Sequence, residues 1–324
     1  MHQLSMHEFI DQRHAFDQVV AASPHVDRFC SSSPWLIAAK QAFFPESTPL
    51  ILRGQHGWVP LMHQQGPNGL TLLPLEAVWG MACPLVGPDP EQLLWELENY
   101  LAASALPWDA LYLCGLDPLG PTLSMAKRRF GKRHRLGLGG VTRRRQASLE
   151  GGFEGFMARR SANFRAGLRR AIRRAELSGI SYEDHAPIGA DQLAPLMDRV
   201  MTVEEASWKG REELGIDGGS MRSFYEHMTA MLADTGALRL SFVRREDRDI
   251  AYVFGGVLGS DYRGLQISFE DEGANLSPGN LAQAHMIDIL SREGVRLYDL
   301  GMSMPYKRRW AELERNSVML AALR

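Results

Sequence analysis

Apolar positions along this chain change their period several times, and each change marks an element. Up to about Phe44 they recur at helical spacing, through Phe9, Ile10, Phe16, Val19 and Val20. Three short β-type runs follow, Pro49–Leu52, Trp58–Met62 and Leu70–Leu75, set apart by Gly54-Gln55-His56-Gly57 and Gly66-Pro67-Asn68-Gly69. Short strands between tight turns predict an antiparallel meander. A loop from Trp79 to Pro88 leads to Asp89-Pro90-Glu91. Asp at the cap and Pro at the first helical position predict a helix through about Ala103. A strand at Ala110–Leu113 then closes in Cys114-Gly115.

The second half repeats this order. Phe153–Leu177 reads as one long helix, with Phe164, Leu168, Ile172 and Ala175 on one face and arginines over much of the rest. Helical stretches at Leu193–Val203 and Met221–Asp234 precede strands Leu238–Val243, Ile250–Leu258 and Leu265–Phe269, with turns at Glu246-Asp247 and Gly259-Ser260. An acidic loop then opens into Ser277-Pro278-Gly279-Asn280, a helical run, Gly294 and a strand at Leu297–Leu300. Both halves therefore run from a meander through a Pro-started helix to a strand closing in L-Y-x-x-G. The proline-to-tyrosine separations are 22 (Pro90 to Tyr112) and 20 (Pro278 to Tyr298). This predicts a duplicated α/β domain, residues 1–145 and 146–324. Gly137–Gly140 and Gly151-Gly152 bracket Thr142–Arg145 as a linker or an edge strand.

Charge adds an asymmetry that the net value of −2 conceals. Between Lys127 and Arg174 stand 16 Lys and Arg against Glu150 and Glu154, a local net of +14, so the remainder carries −16. Such a block suits a phosphate-bearing or acidic partner, or a plain solvated surface. The 324 residues can bury a substantial core, and 45% hydrophobic with 23% charged residues places the chain among ordinary globular proteins. Cys30, Cys83 and Cys114 are odd in number and without metal or disulfide spacing. The N-terminus lacks an apolar signal core, and no run approaches the roughly 18 apolar residues of a membrane span. A cytoplasmic protein without a metal cofactor is expected.

Several chemistries are excluded by motif. No G-x-S-x-G elbow, Walker loop, HExxH or CxxC pair is present, and Gly279 lacks the partner glycines of a dinucleotide fingerprint. His285, inside a helical run, reads as structural. What remains is the helix start, with Ser277 as cap and Pro278 at the first position. The N–H groups of Gly279, Asn280 and Leu281 could hold an anion there, and a well-capped structural helix reads equally from the same residues.

Four marks decide between those readings: Arg160-Ser161-x-x-x-Phe164-Arg165-x-x-Leu168-Arg169-Arg170, Ser207-Trp208-Lys209-Gly210, Ser277-Pro278-Gly279, and Tyr306-Lys307-x-x-Trp310. In order and spacing they resemble the GNAT superfamily, in the branch of FemAB peptidyltransferases and cellulose-biosynthesis-type acetyltransferase-like domains, over roughly residues 150–310. The resemblance implies two tandem GNAT-like domains of mixed, largely antiparallel sheets flanked by helices, the first a degenerate companion. It implies N-acyl transfer from an acyl-CoA or acyl carrier protein to an amine on a small molecule, sugar or peptide. FemAB relatives use aminoacyl-tRNA instead, and a non-catalytic module holding RNA or an acidic protein is the alternative from another class. The donor would lie along Gln266, Ile267 and Ser268, with its phosphates against Ser277, Gly279, Asn280 and Leu281. The GNAT R/Q-x-x-G-x-G/A loop is only partly present, because Leu276 and Leu281 occupy its ends. The implied roles are Glu270 or Asp299 as base, Tyr306 as proton donor to the leaving thiolate, and Lys307 near the reacting groups. Trp208, Lys209 and Arg165 are expected at the substrate.

Overall fold

The computed structural model describes residues 1–66, 69–207, 210, 216, 218–270 and 276–324. Trp208 and Lys209, the turn residues Pro67 and Asn68, and the acidic loop 271–275 lie outside the described residues. The first elements are β1 (His2–Leu4), α1 (Met6–Asp11), α2 (Arg13–Ala21), α3 (Ser33–Phe43), β2 (Thr48–Arg53), β3 (Trp58–Gly66) and β4 (Gly69–Pro74). They continue through α4 (Pro90–Ala103), β5 (Trp108–Leu116), α5 (Pro121–Phe130), β6 (Arg135–Leu138) and β7 (Thr142–Ser148). Next come α6 (Gly152–Ala158), α7 (Ala162–Leu177), β8 (Ile180–His185), α8 (Ala190–Glu205), α9 (Gly219–Asp234), β9 (Leu238–Arg245) and β10 (Arg248–Leu258). The last are β11 (Asp261–Phe269), α10 (Pro278–Arg292), β12 (Leu297–Met302), a 3-10 turn (Pro305–Arg309) and β13 (Leu313–Leu323).

Contacts divide the chain into a first unit, Met1–Arg143 with Asn316–Arg324, and a second unit, Arg144–Arg315. The sequence reading carried the second domain to residue 324, whereas these contacts group 316–324 with the first unit. The cause is β13, whose residues Val318–Leu323 pair with β5, and with β6 over Leu320–Leu323.

In the first unit β1 to β4 pair antiparallel in succession, and β4 lies parallel to β5 across the α4 crossover. Asp89 Oδ1 caps α4 by accepting from the N–H groups of Glu91 and Gln92, both at 3.1 Å. Phe9, Phe16 and Trp58 meet edge-on or tilted at 5.0–6.1 Å between ring centres, pinning α1 and α2 to the meander. The fully buried Glu76 accepts from the N–H groups of Trp79, Gly80, Met81 and Ala82 and so ties down the loop after β4.

In the second unit the order is β7-β12-β11-β10-β9-β8, antiparallel except for β11 beside β12, which α10 joins as a parallel crossover. Its core gathers Phe156, Leu168, Val253, Tyr262, Leu281, Met286, Ile287, Leu290 and Trp310. The single long helix expected over 153–177 is two helices, because Ser161 is extended and its side chain caps α7 through the Phe164 N–H. The continuous helical period could not show this, since the cap replaces only three residues of it.

The repeated L-Y-x-x-G also repeats in geometry. Gly115 and Gly301 both adopt positive φ, 65° and 82°, which favours glycine. Each marks the same bulge: Leu113 pairs with Leu320 but Leu116 with Val318, and Asp299 pairs with Gln146 but Met302 with Arg144. An identical irregularity at identical motif positions is independent support for a duplicated unit.

Candidate active site

Within the second unit β11 and β12 are paired only from Asp261/Leu297 to Arg263/Asp299. Beyond that point they part, although β11 runs on to Phe269 and β12 to Met302. One cause is a bulge on β11: Phe254 faces Gln266 while Gly255 faces Gly264, so Leu265 is the extra residue. Its carbonyl accepts from the Tyr225 hydroxyl of α9 at 3.2 Å, which fixes the bulge from behind. A Cβ at Gly255 would fall 2.2 Å from the Arg263 carbonyl oxygen, so only glycine permits this register.

The parting leaves a cleft lined by Gly264, Leu265, Gln266 and Ile267 of β11, Gln283 of α10, Tyr298 and Leu300 of β12, and Tyr306 and Lys307. A Cβ at Gly264 would stand 2.9 Å from the Tyr298 ring, so this glycine also keeps the cleft open. Partial burial pushes the Tyr306 phenol pKa upward, and full burial does the same for Tyr298. Both therefore hold their protons at neutral pH. Lys307 Nζ lies 5.8 Å from the centre of the Tyr306 ring.

Beneath the cleft Asp299, 6% exposed, is held on all sides. Its Oδ1 accepts from Arg263 and from the Gly301 N–H, both at 2.7 Å. Its Oδ2 accepts from Arg144 at 2.7 Å and from the Gln146 amide at 3.1 Å. Two guanidiniums, an amide and a backbone N–H thus engage the carboxylate, and Asp299, expected as a base, is not among the residues that line the cleft. Asp299 holds the bulge at Gly301 instead, where a methyl would lie 3.4 Å from an Arg263 nitrogen and 3.6 Å from Lys307 Nζ.

The family-like marks at the start of α7 prove to be the scaffold of the Tyr306-Lys307 segment. Arg160 is buried over the Phe156 ring at 4.6 Å and forms an ion pair with Glu312, which Arg159 joins at 3.2 Å. Phe164 packs edge-on against Trp310 at 4.9 Å. Together they clamp the two ends of the stretch that follows the 3-10 turn. Arg165 turns back to donate to the Arg160 carbonyl at 2.5 Å and does not line the cleft.

Several expected residues stand elsewhere. Ser268 and Glu270 lie past the lined stretch of β11, and Glu270 forms an ion pair with Arg248 at 2.7 Å. Ser277 is in the left-handed region, φ 58°, and its side chain makes no cap. The N–H groups of Asn280 and Leu281, expected to be open to an anion, both donate to the Ser277 carbonyl, at 2.9 and 3.1 Å. Gly279 is required by packing, since a Cβ there would fall 2.7 Å from the Phe269 ring. Among the described residues no cluster of His, Cys, Asp or Glu could hold a metal, and no helix is long and apolar enough to cross a membrane. His285 is structural, stacked on Tyr182 at 3.9 Å and bonded to Asp184 at 2.9 Å.

Gly264, Leu265, Gln283, Tyr298 and Leu300 line the cleft without having been expected there, and Gln283 is the one buried in a helix. It is 4% exposed, and its Nε2 is buried without a hydrogen-bond partner among the described residues. Around it the buried face of α10 is Leu281, Ala282, Ala284, Met286, Ile287 and Leu290. A polar residue on that face was the available signal. An unpartnered buried amide is worth about 1–3 kcal/mol of lost stability, which is unusual to retain without a ligand.

Residues 162–308 match the family model of the acetyltransferase (GNAT) domain. The chain carries a GNAT acetyltransferase domain. The matched segment supports an acyltransferase, and it includes Phe164 of the scaffold and the residues that line the cleft through Lys307. Comparison with curated proteins found no match. Among solved structures, FemX is similar at 12% identity and a TM-score of 0.68, covering 98% of this chain and 97% of that one. A conserved protein of unknown function from Bacteroides thetaiotaomicron is similar at 8% identity and 0.66, with 97% of each chain covered. L-PGS from Bacillus licheniformis is similar at 11% identity and 0.55, covering 84% of this chain and 83% of that one. At such identities these neighbours speak for a FemAB-like GNAT fold alone.

Proposed function

We propose that the GNAT domain transfers an acyl group from a thioester donor, an acyl-CoA or acyl carrier protein, to an amine. The observation that carries this reading is the parting of β11 and β12 directly above Lys307, which offers a bulged strand edge to an acyl carbonyl. The amine nitrogen attacks the carbonyl carbon, and the oxygen takes up the negative charge beside the β11 backbone and Lys307. As the tetrahedral centre collapses, the C–S bond breaks and Tyr306, kept protonated by its raised pKa, gives its proton to the departing thiolate. Among the described residues no carboxylate lines the cleft, and in this reading the amine proton passes to water at its mouth. The donor's phosphates fit the positive end of α10 less well than its sequence suggests, and fit the exposed Arg169, Arg170 and Arg173 of α7 better.

Those same arginines favour a second reading, aminoacyl transfer from a tRNA. The two separate by ligand-dependent melting. Acetyl-CoA is expected to raise the melting temperature in proportion to its saturation. No rise, together with tRNA binding that weakens steeply with salt, would replace the thioester by aminoacyl-tRNA.

A further inference from the structure

The acyl-transfer reading leaves one group unexplained, the buried Gln283 amide. In that reading the bulged edge of β11 takes the reacting carbonyl. Gln283 enters the cleft from α10, and its Nε2 is a donor with no acceptor among the described residues. The other side chains around the cleft point the same way. Gln266, Tyr298, Tyr306 and Lys307 all carry polar ends, against Leu265, Ile267 and Leu300. A cleft meant for an alkyl chain would present hydrocarbon at its deepest wall, and burying a methylene against Gln283 would leave the amide as unmet as it is now.

We infer that the acyl group taken by this enzyme is polar, carrying an oxygen beyond its reacting carbonyl that accepts from Gln283 Nε2. Gln283 is thus a specificity-determining residue, which rests on the thioester reading. A site built around a polar partner rejects the analogue lacking it far more strongly than an apolar pocket rejects an extra methylene.

A matched pair of probes differing by a single oxygen tests this: 3-hydroxybutyryl-CoA and butyryl-CoA, titrated calorimetrically into the full chain. The wild type is expected to bind the hydroxyacyl probe at least about tenfold more tightly. In Gln283→Leu the preference should vanish or invert, through tighter binding of butyryl-CoA as well as weaker binding of its partner. Gln283→Met, unbranched and closer in shape, repeats the measurement if the leucine variant does not fold. Equal affinities in the wild type overturn the inference while leaving the thioester reading in place. A preference that survives in both folded variants also overturns it, because some other group must then read the oxygen. Binding of neither probe overturns the thioester donor, and this inference with it.

Discussion

The two copies of the meander-helix-strand unit differ most where they are most alike in backbone. Bulges at Gly115 and Gly301 place Leu113 and Asp299 at corresponding positions. Counting the register outwards, Arg263 corresponds to Pro74, Arg144 to Val318, and Gln146 to Leu320. A buried network of one carboxylate, two guanidiniums and an amide in the second unit is hydrocarbon in the first. Their helix starts differ likewise: Asp89 fills the N-terminus of α4 with its own carboxylate, while the Ser277 side chain stays away from that of α10. The lesson is that the polar network is not needed to make the bulge. Leucine and valine make it equally well, so the charges in the second unit answer to something other than folding, namely the fixed placement of Gly301, Arg263 and Lys307 beneath the cleft.

The strongest test transplants the first copy's residue into the second. Asp299→Leu should destabilise by about 3–5 kcal/mol, because Arg144 and Arg263 stay buried without their carboxylate. Exchanging the whole set, Asp299→Leu with Arg144→Val and Gln146→Leu, and Arg263→Leu in place of the first copy's proline, should recover most of that stability in denaturant melts while acyl transfer stays lost. Recovery of both would break the comparison. Lys307→Ala should lower transfer about 10²- to 10³-fold in a thiol-release assay with no change in the melting midpoint. Lys307→Arg should not restore it, since a planar fork replaces a compact ammonium.

Smaller effects sharpen the picture. Gly264→Ala pushes a methyl onto Tyr298 and should cost about 1–3 kcal/mol while weakening acetyl-CoA binding. Arg199 clamps Glu183 with paired bonds of 2.8 and 3.0 Å and holds its pKa down to about 2 from 4.5. A depressed carboxylate stabilises fully above its unfolded value and loses that contribution as pH falls through its folded one. The wild-type melting temperature should therefore fall between pH 4.5 and 2 more steeply than that of Arg199→Met. Arg169→Glu with Arg173→Glu should leave stability within about 0.5 kcal/mol and alter only the binding of polyanions.

Local grammar made much of this legible. Pro90 and Pro278, the tyrosines that follow and the two meanders all announce themselves through neighbours in sequence. Tyr306, Lys307, Gln266 and Ile267 line one cleft. The network was not legible, because Arg144 and Arg263 reach Asp299 across 155 and 36 residues. In sequence Arg144 is one more member of a basic run, and only the alternation of β7 turns it inward with Gln146 while Arg143 and Arg145 face outward. Gln283 was hidden for the opposite reason, as a single amide in a helix that reads correctly without it.

The return of residues 316–324 to the first unit has a consequence for anyone cutting the gene. The second unit is one unbroken segment, Arg144 to Arg315, whereas the first is interrupted by all of it. In topological terms the second unit is an insertion inside the first. Trimming the last nine residues would strip β5 of a neighbour and injure the first unit, and a fragment meant to isolate the β11–β12 cleft should stop at Arg315.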